Sequence, residues 1–310
     1  MAPLHGPALV TGAAGFIGGT LVHRLLSEGV EVTGFDRHAP GRPLPEGIRH
    51  IEGDIRDPAS IRAAIVAARP EIVYHLAAQT SVSVSMREPQ LDIESNILGT
   101  LHVAQAAIAG GVRRLVAYSS GGAIFGEPPT LPVADDDAKA PRSVYGVSKL
   151  AGDLLVPLLA QGSDLEASIV RPGNVYGPWQ DPHGEAGVIA IFAMRMLANQ
   201  EATIYGDGTQ FRDYVFVDDV VEATVRAATR TPAACIVATG TATSTREVFD
   251  AVARAAGYER PPVFGPERPG DIHGITLDAS KAREAWGWTP ETAFEDGIHQ
   301  TVDWYRTRPA

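Results

Sequence analysis

Through the first half of the chain, short apolar runs take turns with stretches in which apolar residues recur every three to four positions. The runs at 8–11, 31–35, 50–52, 72–76 and 115–118 have the length of buried strands, and the stretches at 16–27, 59–68, 92–109 and 144–159 repeat at helical spacing. Strand and helix in alternation form βαβ units, so the pattern predicts an α/β protein built on a doubly wound parallel sheet. Ile169 and Val170 continue the strand series. Pro172, Gly173, Asn174, Gly177 and Pro178 then break it where a strand should end, at the edge where such sheets bind ligands.

Beyond residue 172 the alternation lapses. Shorter elements at 188–199, 203–205, 218–229, 245–256 and 294–306 are punctuated by Gly, Pro and Asp, which reads as a smaller, partly helical α+β substrate-binding domain. The apolar run at 235–238, with the helix before it, is expected to rejoin the large sheet. The expected division is therefore discontinuous, 1–172 plus about 213–240 against about 173–212 plus 241–310. No internal repeat or low-complexity tract is present.

Composition narrows function more than fold. With 310 residues, 45% hydrophobic and 20% charged, the chain can bury a full core. The net charge of −11, from 26 Lys and Arg against 37 Asp and Glu, leaves no basic face for nucleic acid or an anionic membrane. An anionic substrate therefore needs arginines of its own. Cys235 is the single cysteine and sits in the apolar run Cys235-Ile-Val-Ala, so it reads as a buried strand residue, and no disulfide framework, cysteine metal site or other metal is expected. The start, Met1-Ala-Pro-Leu-His, has no leader pattern, and no run approaches the ~18 apolar residues of a membrane span, so a cytoplasmic location is expected.

Two motifs carry chemistry. In Tyr145-Gly-Val-Ser-Lys149 the Tyr and Lys stand four apart, one turn along the same helix face, where the ammonium favours the phenolate over the phenol. The pair is a candidate general base for a hydroxyl group. The loop Gly12-Ala-Ala-Gly15-Phe-Ile-Gly18 follows a strand and opens a helix, which gives a tight turn, close backbone approach to a pyrophosphate and a helix N-terminus aimed at negative charge. Asp36 ends the second strand, where a carboxylate accepts hydrogen bonds from adenosine ribose hydroxyls and repels a 2′-phosphate. Arg37 is the group that could instead hold such a phosphate, and NAD is favoured over NADP. Asp54 has two readings, a carboxylate near the adenine or the N-cap of the helix from Pro58 onward.

These motifs, with His75-Leu-Ala-Ala-Gln79, Asp54-Ile55, Asn96, Ser119-Ser120, Arg171-Pro-Gly-Asn174-Val-Tyr-Gly177, Arg212-Asp-Tyr-Val-Phe-Val217 and Arg268-Pro-Gly-Asp271, resemble the extended short-chain dehydrogenases/reductases in their nucleotide-sugar epimerase/dehydratase branch, over essentially the whole chain. Within that branch the similarity is greatest to bacterial sugar-nucleotide 4-epimerases. The resemblance implies a Rossmann-type NAD-binding domain, a UDP-sugar substrate and a homodimer. It implies Phe16 and Ile17 along the pyrophosphate, and Ile55, Leu76, Ala77, Ala78 and Thr80 around the cofactor with Asn96 supporting that wall. Tyr145 is then the base, and Lys149 holds the nicotinamide ribose and lowers the Tyr pKa. Asn174 and Arg212 meet the UDP phosphates, Tyr205 the uracil, Arg268 and Asp271 the phosphate and ribose, and Val188 belongs to the substrate side. Ile275 falls at the position that controls room for an N-acetyl group. For each Arg the plainer alternative is a surface ion pair, as a loop hydrogen-bonder is for His183.

One departure stands out. The position that often carries the family's catalytic Ser or Thr is Gly121, so the partner of Tyr145 is Ser120 or Ser119, with Ser120 preferred, unless both are strand-end hydroxyls and Tyr145 works alone. The activity implied is C4 epimerisation of UDP-glucose and UDP-galactose through a 4-keto sugar. N-acetylated and glucuronate substrates are alternatives, although the 178–187 loop has no Lys or Arg for a carboxylate. A 4,6-dehydratase needs the Asp-Glu pair that Gly121-Gly122 replace, and a non-catalytic dinucleotide sensor has no use for a general base. The helices at 92–109 and 144–159 form the dimer interface in relatives, or else only cover the sheet.

Overall fold

The computed structural model describes residues 6–37, 44–183, 187–267 and 272–307. Six strands follow one another as β1 (Ala8–Thr11), β2 (Val32–Asp36), β3 (Arg49–Glu52), β4 (Ile72–His75), β5 (Arg114–Tyr118) and β6 (Glu166–Pro172). With Ala234–Val237 they make a seven-stranded sheet in the order Ala234–Val237, β6, β5, β4, β1, β2, β3, every neighbouring pair parallel. The return of Ala234–Val237 to the sheet agrees with its apolar run, and Cys235 is fully buried in it.

The strands are apolar throughout because both faces are covered. Ala8 and Val10 point into one cluster with Leu21, Val116, Val220 and Trp286, whereas Leu9 points into another with Phe35, Ile65, Val103 and Val156. That is the two-residue alternation of a strand with helices on both sides. Each Val, Leu, Ile or Phe among them contributes about 1.5–3 kcal/mol by leaving water. A separate cluster, with Phe192, Ile204, Phe249, Val252 and Val302, gathers the helices Val188–Leu197, Thr245–Ala256 and Phe294–Arg306.

Sheet direction places the site. β1 pairs with β2 on one side and β4 on the other, so the chain leaves β1 in opposite senses and the carboxyl ends of β1 and β4 flank a switch point.

The 92–109 stretch is not one regular helix. An α-turn Pro89–Asp92 leads into a π-helix, Ile93–Leu98, before the α-helix Gly99–Ala109 resumes. Apolar spacing does not reveal this, because a π-turn is set by what its side chains bond. Here Asp92, Ser95 and Asn96 are all buried. The short helix Val82–Arg87 was likewise not visible in the apolar pattern.

Candidate active site

A cleft of about 880 Å³ opens at these strand ends. Its first wall is backbone. Beyond β1 the chain turns at Gly12, whose φ of 72° lies in the left-handed region, and a Cβ there would stand 2.7 Å from the Ala77 nitrogen. A Cβ at Gly18 would stand 2.0 Å from the Gly12 carbonyl oxygen. The helix α1 (Phe16–Ser27) begins after Gly15 with no side-chain cap and no acidic residue in its first turn, so its positive end is left to an anion. Gly15, Phe16 and Ile17 line the cleft beside it.

Asp36 closes this wall. Its Oδ2 accepts the Ala14 N–H at 3.0 Å and its Oδ1 accepts the Arg37 N–H at 2.7 Å, so the carboxylate also fixes the glycine loop. Asp54 lines the cleft and pairs with Arg56 at 2.7 Å. The cap reading for Asp54 is corrected: Asp57 accepts the Ala59 N–H at 2.9 Å and caps the helix α2 (Pro58–Ala68). With Pro58 as the first helical residue, the residue just before it is the cap.

The second wall is the segment after β4, where Leu76, Ala77, Ala78 and Thr80 face the cleft together with Ile55. Buried hydroxyls hold it. Thr11 Oγ1 accepts the Ala77 N–H at 3.2 Å and lies 2.8 Å from His75 Nδ1, while His75 Nε2 lies 3.0 Å from Thr100 Oγ1. Burial first, and then the Lys149 charge, push His75 down to about 3, so it is a neutral hydrogen-bonding spacer. Asn96 does not line the cleft. Its Oδ1 accepts the Gln79 N–H at 2.8 Å and its Nδ2 donates to the Gln79 carbonyl at 2.9 Å, so it clamps the wall from behind.

The floor carries the candidate chemistry. Tyr145 and Lys149 lie in the helix Val144–Ala160, capped by Ser143 at the Gly146 N–H, 3.0 Å away. Both open onto the cleft while protein crowds them on their other sides. Lys149 Nζ donates to the Tyr118 carbonyl at 3.1 Å and stands 6.0 Å from the centre of the Tyr145 ring. Ser120 lines the cleft with Tyr145, and its hydroxyl favours ionisation of the Tyr145 phenol. Ser119 is almost fully buried and turns away, donating to the Lys149 carbonyl at 3.4 Å. A Cβ at Gly121 would stand 3.0 Å and 3.1 Å from the Arg171 and Pro172 carbonyl oxygens, which explains the glycine and moves the hydroxyl to Ser120.

Electrostatics correct one expectation. In the protein alone Tyr145 is pushed up to about 12 by burial, with the Asp92 charge adding to it and the Ser120 hydroxyl opposing it. Lys149 is pushed down to about 8 by burial, with Asp92 opposing. Lys149 therefore does not lower Tyr145 here, because desolvation outweighs a cation that is bound to a carbonyl and held 6.0 Å off the ring. The phenol resides in the first turn of its helix, where the helix dipole favours an anion once a further positive charge arrives.

The substrate-side candidates are more scattered. Arg212 lies on the strand Phe211–Arg212, paired with Thr243–Ser244, and donates to the Phe211 and His273 carbonyls at 2.8 and 3.4 Å. Tyr205 is 39% exposed at the end of the strand Thr203–Tyr205. Asn174 begins the strand Asn174–Tyr176, with its Oδ1 beside Gly122, and Val188 starts its helix half-buried. Ile275 is wholly buried with Ile124, Phe125, Val133 and Leu277, so the structure does not bring it to the cleft wall, and the size-selecting role expected of it has no surface to act through. Arg268 and Asp271 lie outside the described residues.

Tyr118, Gln180 and Asp181 also line the cleft, and their sequence signal is only that they end a strand or follow a turn at the sheet's carboxyl edge. Asp213 is fully buried and accepts the Thr239, Gly240 and Leu277 N–H groups at 2.8, 2.9 and 3.1 Å, thereby anchoring the strand that presents Arg212. Arg171 is no surface ion pair: it is buried between Asp135 and Asp153, each at 2.7 Å.

The profile of the NAD dependent epimerase/dehydratase family matches residues 8–237. The chain belongs to the NAD-dependent epimerase/dehydratase family. Among relatives in this family, a UDP-glucose 4-epimerase of Mycolicibacterium smegmatis is 44% identical, the match covering 97% of this chain and 98% of that one. A Thermotoga maritima UDP-glucose 4-epimerase solved with UDP-glucose superposes with a TM-score of 0.94 at 39% identity, covering 97% of this chain and 99% of that one. A Thermus thermophilus UDP-glucose 4-epimerase solved with NAD gives 0.91 at 42% identity, with 97% and 99% covered. The family's cofactor fits the site described: the Gly12 and Gly18 positions exclude a Cβ, the adjoining helix end is uncapped, and a carboxylate ends β2. No cluster of metal-ligating side chains occurs among the described residues.

Proposed function

We propose that the protein is a UDP-glucose 4-epimerase, interconverting UDP-glucose and UDP-galactose with tightly held NAD. The observation that carries the reading is the meeting of Tyr145, Ser120 and Lys149, its ammonium 6.0 Å from the Tyr145 ring, in one cleft with the glycine loop. NAD, when bound, supplies a reversible hydride acceptor and a positive charge. The chain's residues do the rest. The Gly12–Gly18 loop and the start of α1 bind the pyrophosphate, Asp36 the adenosine ribose, and Lys149 the nicotinamide ribose.

Tyr145 takes the proton from the sugar 4-hydroxyl and Ser120 keeps its phenol oriented. With its C4 hydride given up to the bound acceptor the sugar would stand as a 4-keto intermediate, turn within the pocket, and regain the hydride on the opposite face of C4 while Tyr145 gives the proton back to O4. Arg212 and Asn174, with Arg268 and Asp271, hold the diphosphate and ribose through that turn, and Tyr205 packs on the uracil. The residues 1–172 plus about 213–240 carry the cofactor in this reading, and the remainder the nucleotide sugar.

Assembly as a homodimer is part of the proposal. A groove of about 450 Å³ lined by Met86, Ile93, Ile97 and Val147, with Leu154 and Leu158 exposed, gives the helices of 89–109 and 144–160 an apolar face suited to a second copy. Light scattering at micromolar concentration should return twice the chain mass. No described helix is long and apolar enough to cross a membrane, which is consistent with the cytoplasm.

The test is a set of UDP-sugars incubated without added oxidant and followed by NMR of the anomeric protons. Conversion of UDP-glucose to UDP-galactose is expected. A 6-deoxy-4-keto product in its place overturns the epimerase reading in favour of a dehydratase.

A further inference from the structure

Asp92 is a wholly buried carboxylate on the turn that enters the π-helix, and nothing so far gives it a role. Its Oδ2 accepts from Gln79 Nε2 at 2.8 Å and from Asn96 Nδ2 at 3.2 Å. Its Oδ1 is buried without a hydrogen-bond partner. The same Asn96 amide donates to Ser148 Oγ at 3.1 Å, and that hydroxyl donates to the Tyr145 carbonyl at 3.0 Å. Asp92 is thus two side chains away from the turn of helix between Tyr145 and Lys149.

A bare carboxylate oxygen in a dry interior is costly unless a cation shares its field. A neutral Asn at this position could accept from Gln79 and Asn96 through its own oxygen, so hydrogen bonding alone does not require an acid. We propose that Asp92 is a positioning residue for the reacting pair, held by Gln79 and Asn96 as the buried counter-charge that keeps Lys149 an ammonium on the floor of the cleft.

The surroundings of Lys149 support this. The Tyr118 carbonyl faces it from β5, neutral His75 from β4, and Tyr145 from its own helix. Asp92 is the carboxylate whose charge opposes the desolvation of Lys149, and it also disfavours the phenolate of Tyr145. It therefore biases the resting site toward ammonium plus phenol, and leaves the phenolate to form when the cofactor's positive charge arrives. This rests on Tyr145 and Lys149 being the reacting pair.

The chain has only three lysines, Lys139, Lys149 and Lys281, so each can be followed directly. The holoprotein labelled at lysine 13Cε is titrated by NMR, with signals assigned through K139R and K281R. In D92N the Lys149 midpoint should fall by about one pH unit or more while the other two stay put. The alkaline limb of the epimerase pH profile should fall with it. A Lys149 midpoint equal to that of the wild type overturns the proposal. Should D92N fail to fold, D92S removes the same charge with less bulk and is read the same way. The titration needs no turnover, so its failure is distinct from failure of the epimerase reading.

Discussion

Compared with the strand that carries Arg212, the loop at 12–18 leaves its surroundings little freedom. The loop is defined by what a Cβ would strike: the Ala77 nitrogen at 2.7 Å from Gly12 and the Gly12 carbonyl at 2.0 Å from Gly18. Phe211–Arg212 is a two-residue strand whose Arg donates to the Phe211 and His273 carbonyls and is partly exposed. A wall made of backbone can hold one cofactor rigidly, whereas a wall made of side chains on short strands can loosen while a sugar turns. Substitutions on the first wall should cost fold and cofactor together, and those on the second should cost substrate affinity alone.

Tyr145 lies between these regimes and should show the largest effect. Y145F should lower kcat by about 10²-fold or more, the usual worth of a positioned acid–base group, while the protein still releases NAD on denaturation. Retention of full activity would remove Tyr145 from the mechanism. Next comes G18A, which forces a methyl against a backbone carbonyl. Chemical denaturation should show a loss of roughly 1–3 kcal/mol, and co-purifying NAD should disappear. A G18A protein with normal NAD content breaks the backbone side of the comparison.

R212M should raise KM for UDP-glucose by about tenfold, the worth of one charge-assisted phosphate contact, with NAD content unchanged. An R212M protein that loses its cofactor would show that the two walls are not independent. The smallest effect is a pH dependence. Lys149 has a folded value of about 8, below the 10.5 of an ordinary lysine, so between those values the unfolded chain binds the extra proton and stability rises with pH. The stability of the wild type relative to K149M should therefore grow from about pH 8 upward, as read from denaturation midpoints. A constant gap means that Lys149 titrates normally.

Much of the first wall is legible in the sequence. Gly12, Gly15, Gly18 and Asp36 depend on local geometry, a turn and a strand end, which neighbouring residues encode. The 92–109 region is not, because the π-turn answers to Asn96 bonding Gln79, a partner 17 residues away that apolar spacing cannot see. Ile275 was misplaced for a related reason. Family position suggested a pocket wall, and packing against Phe125 and Leu277 put it inside a core.

From the sequence by itself come the parallel sheet, the glycine loop, the Tyr145–Lys149 spacing and the missing acid pair at 121–122, all of which follow from periods and turns within a few residues. Tertiary structure alone decided that Ser119 turns away to the Lys149 carbonyl, that Lys149 is held by the Tyr118 carbonyl, and that Asp92 lies wholly buried. Hydrogen bonds and charges act across space, and their strength depends on how much water the fold removes from around them.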